Sequence, residues 1–242
     1  TAGLADAVRE LEIVNAANSR HLDQYKEFLY QRLQREGFDR NDVHRLATRD
    51  RHVFSALMLQ HGHGDGLITG ATRKSAHVLS LINHVFDAKA SDGAVGVTVL
   101  LHNGKIVLIA DTLVHEWPDE TDLANIATKA AGIARNLGLE PRVAFVSFST
   151  FGYPVSERAT KMHAAPKVLD ARKVDFEYEG EMTVDVALDP DVMAQYPFCR
   201  LTGPANILVV PARHSASISV KLMQEMAGAT VIGPILAGVK KP

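Results

Sequence analysis

Three short stretches of the sequence place hydroxyl groups and backbone amides directly after apolar segments. They are residues 69–75 (TGATRKS), 147–152 (SFSTFG) and 213–217 (RHSAS). Hydroxyls and the free amides of a helix N-terminus suit an anionic group such as phosphate. Each stretch alone is also typical of a plain helix N-cap, because Ser and Thr are favoured there for local reasons. Three such stretches in one chain favour a shared ligand cleft.

The segment HGHGDG, residues 61–66, crowds two histidines and an aspartate together. A defined metal site usually needs more ligands than this, and no distant histidine pair completes one. The glycines at 62, 64 and 66 also miss the spacing of a dinucleotide-binding loop. We therefore interpret the segment as a surface turn.

Two other candidates for chemistry are weak. The motif HEWP at residues 115–118 lacks the second histidine of a zinc-protease motif, and its proline opposes the required helix, so we expect a loop with a capping role. Cys199 has no flanking charges that would lower its pKa, and a nucleophilic role is not expected.

Strands alternate with helices along the chain, which predicts an α/β protein. Helices are expected at residues 18–36, 121–137, 157–171 and 217–226, the last with Leu222 and Met226 on its inner face. Residues 66–86 are interpreted as strand, glycine turn and helix. The clearest hairpin joins strands 95–101 and 106–110 through Asn103-Gly104. Segments 142–148 and 206–210 lack alternation, as in parallel strands that are covered on both faces.

Composition narrows the classes of function. The chain has 242 residues, with 26 basic and 28 acidic side chains and a net charge of −2, so neither a nucleic-acid nor a membrane partner is expected. One cysteine allows no internal disulfide, and no signal-peptide pattern is present, which favours the cytoplasm. The apolar runs are far shorter than the roughly 20 residues of a membrane helix.

Several blocks, in this order and spacing, resemble the phosphate acetyl/butyryltransferase family: DGLITGA, VAFVSFSTFG, EGEMTVDVAL, GPANILVVP, HSASISVK and IGPILAG. Within that family they most resemble the C-terminal phosphotransacetylase-like domain of bacterial NADP-dependent malic enzymes of the hybrid type. The resemblance covers nearly the whole chain.

The resemblance implies two three-layer α/β/α domains of the isocitrate/isopropylmalate-dehydrogenase-like type, one inserted in the other. Residues 1–90 and 233–242 would form a partial domain I, and residues 91–232 domain II. It also implies that the chain is truncated at both ends. The ligand cleft, for acetyl-CoA or phosphate, would be lined by Thr69, Gly70, Arg73, Lys74, Ser147, Ser149, Thr150, Asn206, Ser217 and Lys221.

This sequence departs from the active transferases at several of those positions. A histidine-serine-threonine turn of the active members is replaced by Arg73-Lys74-Ser75, and their usual asparagine by Ser217. Phe151 and Tyr153 follow the SFST block where small or basic residues are usual. The serine-arginine pair of the family would lie beyond Pro242. We therefore expect no catalytic residue in this chain and no useful transferase activity.

The resemblance implies an attached malic enzyme domain that decarboxylates malate oxidatively to pyruvate, with NADP and Mg²⁺ or Mn²⁺. This chain itself would need no cofactor and no metal. We expect it to bind acetyl-CoA or a related CoA ester for allosteric regulation, and to form a homo-oligomer, with a dimer through domain II. The alternatives are an active phosphate acetyltransferase and a domain that serves chiefly for assembly.

Overall fold

The computed structural model describes residues 11–86 and 93–239, and for Arg158 the backbone alone. Its α-helices are α1 (Leu22–Leu33), α2 (Arg40–Arg49), α3 (Arg51–Gln60), α4 (Ser75–Ile82), α5 (Glu120–Asn136), α6 (Glu157–Arg172), α7 (Val184–Leu188), α8 (Pro190–Met193) and α9 (Arg213–Ala227). Its strands are β1 (Val95–His102), β2 (Lys105–Ala110), β3 (Arg142–Val146), β4 (Glu177–Met182), β5 (Ile207–Val209) and β6 (Thr230–Ala237). Short 3₁₀ turns occupy Ala16–Asn18 and Gln34–Glu36.

The chain divides into two compact units, residues 1–87 with 240–242 and residues 88–239. In its described part, unit 1 contains helices α1–α4, whose apolar faces form one core. Tyr25, Leu29 and Leu57 are almost completely buried there. Helix α1 ends at a 3₁₀ turn that Gly37 closes with a φ of 91°. The helix expected over residues 18–36 therefore ends at its predicted position.

Unit 2 is built on a six-stranded mixed sheet in the order β4-β3-β5-β2-β1-β6. Strands β2, β5, β3 and β4 run parallel to one another, whereas β1 is antiparallel to both β2 and β6. The β1–β2 hairpin turns at Asn103 and Gly104, which both have a positive φ, as a type I′ turn requires. The predicted α/β class, hairpin and parallel strands are confirmed.

Helices cover both faces of this sheet. Val143 and Phe145 of β3 pack with α5 and α6, while Ala144 and Val146 pack on the other side with α7 and α9. Alternate residues of one strand therefore enter two different cores, which explains why the sequence of β3 shows no alternation of polar and apolar residues.

Two predictions about local structure are wrong. Residues 66–70 precede α4 without forming a strand, and Ile68 is fully exposed. Helix α9 does not bury Leu222 and Met226, whose exposed fractions are 58% and 80%. Ala216 is its one buried residue. The helical period was predicted correctly, but the apolar stripe faces away from the core.

The end of the chain also differs from the predicted domain boundary. Strand β6 pairs with β1 from Val95 opposite Ala237 to Leu101 opposite Thr230. Residues 233–239, which the sequence analysis placed in domain I, therefore lie in unit 2.

Candidate functional site

The carboxyl ends of the four parallel strands of unit 2 lie at one edge of the sheet, where open α/β sheets bind ligands. The SFSTFG turn, residues 147–152, follows β3 at this edge. Asp111 follows β2, Glu181 lies near the end of β4, and three residues separate the end of β5 from the start of α9. The topology thus brings a hydroxyl-rich turn, two carboxylates and a helix N-terminus to the same edge.

Most backbone amides of the SFSTFG turn donate hydrogen bonds within the protein itself. Four amides donate to acceptors in unit 2: Ser147 to the Met182 carbonyl (2.8 Å), Thr150 to the Tyr153 carbonyl (2.9 Å), Phe151 to the Glu181 carbonyl (2.8 Å) and Gly152 to the Glu181 carboxylate (2.8 Å). An anion-binding loop needs its amides to point at the ligand. This turn is therefore poor in donors.

Glu181 is the centre of this arrangement. Its side chain is completely buried, and its Oε1 atom accepts from the Ser149 hydroxyl at 2.9 Å and from the Gly152 amide at 2.8 Å. Its Oε2 atom lies 2.9 Å from Nδ1 of His163 on α6. A buried carboxylate is tolerated only when it is paired and hydrogen-bonded. Glu181 therefore ties the turn, β4 and α6 together.

Ser149 has no exposed surface, so it cannot contact a ligand as the sequence analysis proposed. Its hydroxyl braces the turn against Glu181 instead. Ser147 and Thr150 are half-buried and keep part of their surface toward solvent. The Thr150 oxygen accepts from the Thr183 amide at 3.2 Å. Of the three predicted hydroxyls, two can reach a ligand.

An aromatic surface adjoins the turn. The ring of Phe151 packs against Phe198 at a centroid distance of 4.7 Å and against Tyr196 at 5.2 Å. Phe198, Phe148 and Tyr153 expose 62%, 62% and 81% of their surface. Phe151 has a φ of 50°, an unfavourable value for a bulky residue. The hydrogen bond from its backbone amide to the Glu181 carbonyl and its ring contacts hold this conformation in place.

A second buried carboxylate, Asp111, organises the loop after β2. It accepts from the amides of Gly96, Leu113, Val114 and His115, and its Oδ2 atom lies 2.7 Å from Nδ1 of His115. Burial opposes its charge, but the hydrogen bonds from the His115 ring and the loop amides outweigh burial and lower the pKa of Asp111. The bond to Asp111 in turn raises the pKa of His115, whose side chain is 18% exposed.

The predicted ligand residues Asn206, Ser217 and Lys221 lie in different parts of unit 2. Ser217 and Lys221 lie one turn apart on α9, half-buried and exposed respectively. Asn206 lies just before β5, at the opposite edge of the sheet from the SFSTFG turn. Its side chain accepts from the Arg142 amide at 2.8 Å and donates to the Glu140 carbonyl at 2.7 Å. Asn206 joins strands and is not placed to line the predicted cleft.

The four predicted ligand residues of unit 1 lie around the start of α4. The Thr69 hydroxyl lies 2.5 Å from Nδ1 of the buried His52, and Gly70 turns with a φ of 97°. Arg73 is exposed and Lys74 is the N-cap residue of α4, with no side-chain capping bond. Thr69 is thus engaged inside unit 1, while the two cations are open to solvent. These residues and those of unit 2 belong to separate units, and their common cleft stays a prediction.

The two histidines of the HGHGDG segment make contacts inside unit 1. His63 bonds the Tyr25 hydroxyl through Nδ1 at 2.5 Å and stacks on His21, and His61 bonds the Leu57 carbonyl. Over residues 11–86 and 93–239, no group of three His, Cys, Asp or Glu side chains could hold a metal ion. Burial raises the pKa of the Cys199 thiol, which disfavours the reactive thiolate.

A family model described as phosphate acetyl/butaryl transferase matches residues 2–242. The chain belongs to this family. The predicted resemblance is confirmed over nearly the whole sequence.

Proteins of two kinds are similar to this chain in sequence. The chain is 51% identical over 231 residues to an NADP-dependent malic enzyme of Rhizobium meliloti, covering 96% of this chain and 30% of the relative. It is 31% identical over 245 residues to a phosphate acetyltransferase of Treponema pallidum, covering 96% of this chain and 73% of the relative. The chain thus spans about a third of the malic enzymes that it matches.

Solved structures share the fold. A phosphotransacetylase from Streptococcus pyogenes superposes with a TM-score of 0.85 at 27% identity, covering 95% of this chain and 70% of that one. The EutD phosphotransacetylase from Staphylococcus aureus gives 0.83 at 24% identity, covering 99% and 75%. Within the described residues, no helix is long and apolar enough to cross a lipid bilayer.

Proposed function

We propose that this chain is the phosphotransacetylase-like part of a larger NADP-dependent malic enzyme, and that it binds acetyl-CoA to regulate that enzyme without transferring the acetyl group. The similarity to malic enzymes supports the first half, because the match covers 96% of this chain but 30% of the relative at 51% identity. The donor-poor SFSTFG turn supports the second half, because acyl transfer to phosphate needs donors aimed at the developing charge.

The parent reaction would be the oxidative decarboxylation of malate to pyruvate, in the cytoplasm. NADP and a divalent metal, Mg²⁺ or Mn²⁺, would be held by the malic enzyme domain and not by the residues of this chain. The finer account of the fold also belongs to this proposal: two dehydrogenase-like three-layer domains, the second inserted in the first. The cations Arg73, Lys74 and Lys221 are exposed and suit the phosphates of CoA.

Regulation of this kind requires acetyl-CoA to bind two states of the assembly with different affinity. Its test is the malate-dependent reduction of NADP by the full natural protein, with and without acetyl-CoA, beside a calorimetric titration of the same protein. We expect saturable binding and a loss of activity over the same concentration range. Absence of binding would refute the regulatory role.

The alternative is an active phosphate acetyltransferase, which converts acetyl-CoA and phosphate to acetyl phosphate and CoA. The family match and the 31% identity to a phosphate acetyltransferase favour it. Release of free thiol from acetyl-CoA on addition of phosphate distinguishes the two functions. Measurable turnover would make the chain an enzyme.

Assembly is the third part of the proposal, with a dimer formed through unit 2. Ile218, Leu222 and Met226 recur every four residues on α9 and expose 66%, 58% and 80% of their surface. An apolar stripe of this kind marks an interaction surface. Leu222→Ser is expected to lower the oligomeric state in sedimentation, whereas Gln224→Ser, on an exposed polar position of the same helix, is not.

A further inference from the structure

The SFSTFG turn offers a ligand mostly oxygen atoms. Four of its amides already donate within unit 2, whereas the amides of Phe148 and Ser149 make no hydrogen bond to the described residues. Ser149 has no exposed surface, so its amide cannot reach a ligand. A single amide at Phe148 falls short of what the oxygens of a phosphate require.

The hydroxyl protons are also directed inward. Ser149 has one proton, and the contact of 2.9 Å to the Glu181 carboxylate uses it, because a carboxylate can only accept. The Ser149 oxygen lies 3.3 Å from the Ser147 oxygen. With the proton of Ser149 on Glu181, Ser147 is the donor of this second contact. The lone pairs of Ser147, on its half-buried outer side, are then free to accept.

Apolar surface lies beside this acceptor. Phe148 is 62% exposed one residue along the chain, and Phe151 continues into the aromatic surface with Tyr196 and Phe198. A ligand group that fits here carries a neutral hydrogen-bond donor next to apolar atoms. The phosphates of CoA carry neither, whereas its pantetheine arm carries two amide N–H groups and, in the ester, an apolar acyl end.

We infer that the SFSTFG turn receives the neutral pantetheine arm of a CoA ester and not a phosphate group, with an amide of that arm donating to Ser147 and the arm lying against Phe148. The inference rests on the proposed function, since it assigns one part of the proposed ligand to one part of unit 2. It leaves the phosphates of CoA to be held by other residues.

The test is displacement of labelled acetyl-CoA from the full natural protein. S-acetylpantetheine, which has no phosphate, is expected to displace the label. Inorganic phosphate is expected to displace labelled S-acetylpantetheine, a probe without phosphate groups, no more than sodium chloride of the same ionic strength does. Ser147→Ala should weaken binding of both acetyl-CoA and S-acetylpantetheine by about tenfold, the equivalent of one lost hydrogen bond. Thr128→Val is the control, because the Thr128 hydroxyl only bonds its own helix at Ala124.

The outcomes separate the inference from the function on which it rests. If acetyl-CoA binds but phosphate displaces labelled S-acetylpantetheine beyond the salt control, or Ser147→Ala binds both compounds as wild type does, the inference is overturned and the regulatory role stands. If acetyl-CoA does not bind at all, both fall. Displacement by S-acetylpantetheine that Ser147→Ala weakens and Thr128→Val does not is the supporting result.

Discussion

Two buried carboxylates, each paired with a histidine, lie at the edge of unit 2 where its parallel strands end, and they differ in what they hold. Asp111 accepts most of its hydrogen bonds from residues two to four positions later in the chain, and so it shapes one loop. Glu181 takes its bonds from residues 18 to 32 positions earlier in the chain, and so connects three elements. The first pair is a local brace, whereas the second fixes the SFSTFG turn to the fold.

The largest expected effect is that of Glu181→Ala. Ser149 is completely buried, so its hydroxyl cannot find water when the carboxylate is removed. We expect a loss of about 3 kcal/mol in the free energy of unfolding, measured by denaturant titration. Glu181→Gln keeps an acceptor for Ser149 and Gly152 and should lose less than half as much. Equal losses in the two variants would show that the hydrogen bonds are not the cause.

Asp111→Ala is expected to have a smaller effect, about 2 kcal/mol in the same titration. Three of the four amides that it frees belong to residues 113–115, which are half-buried and can bond water in part, whereas the fourth, that of Gly96, is buried. Hydrogen exchange should rise at these amides and not in the SFSTFG turn. Faster exchange in both regions would contradict the local role of Asp111.

The Asp111–His115 pair also predicts a pH dependence. The pKa of His115 is raised in the folded state, so its stabilisation is present below its usual value of about 6.5 and is lost as the pH rises through the folded value. The pKa of Asp111 is lowered, so its contribution is present above about 4 and is lost as the pH falls below that. Stability from the pair should therefore be greatest between about pH 4 and 6.5.

Above that range the expected fall is at most about 1.4 kcal/mol per pH unit, as for one proton. His115→Asn should remove this part of the pH dependence in denaturant titrations at successive pH values. An unchanged slope between wild type and variant would mean that His115 does not gain its proton affinity on folding.

The smallest expected effects concern the two serines of the turn. Ser149→Ala should reduce the free energy of unfolding by about 1.5 kcal/mol, because Glu181 loses a buried donor. Ser147→Ala should change it by less than about 0.5 kcal/mol and act on ligand binding instead. If the two substitutions destabilise equally, the assignment of Ser149 to the brace and Ser147 to the ligand is wrong.

Sequence patterns predicted the elements well and the polar contacts poorly. The helical period of α5, the Asn103-Gly104 turn and the unbroken apolar run of β3 are local signals, and each was recognised. Glu181 was missed as a site residue because its partners, Ser149 and His163, are distant in sequence. The signal that was available is an acidic residue inside a block of family resemblance, next to the apolar Met182.

The wrong predictions have a common physical reason. The four-residue spacing of apolar side chains on α9 correctly indicated a helix. Such spacing does not say whether an apolar stripe meets the core or a partner, and Leu222 faces outward. Asn206 belongs to a block of family resemblance, yet it lies at the opposite edge of the sheet from the SFSTFG turn. Position relative to the sheet edge is a property of topology and not of residue type.

The central claim is that this chain senses a CoA ester without converting it. Its most direct test is a calorimetric titration of the full natural protein with acetyl-CoA in phosphate buffer, with free thiol assayed in the cell at the end. We predict saturable binding and no thiol released above the level of a protein-free control. Thiol release that grows with protein and time would contradict the claim, as would the absence of binding heat.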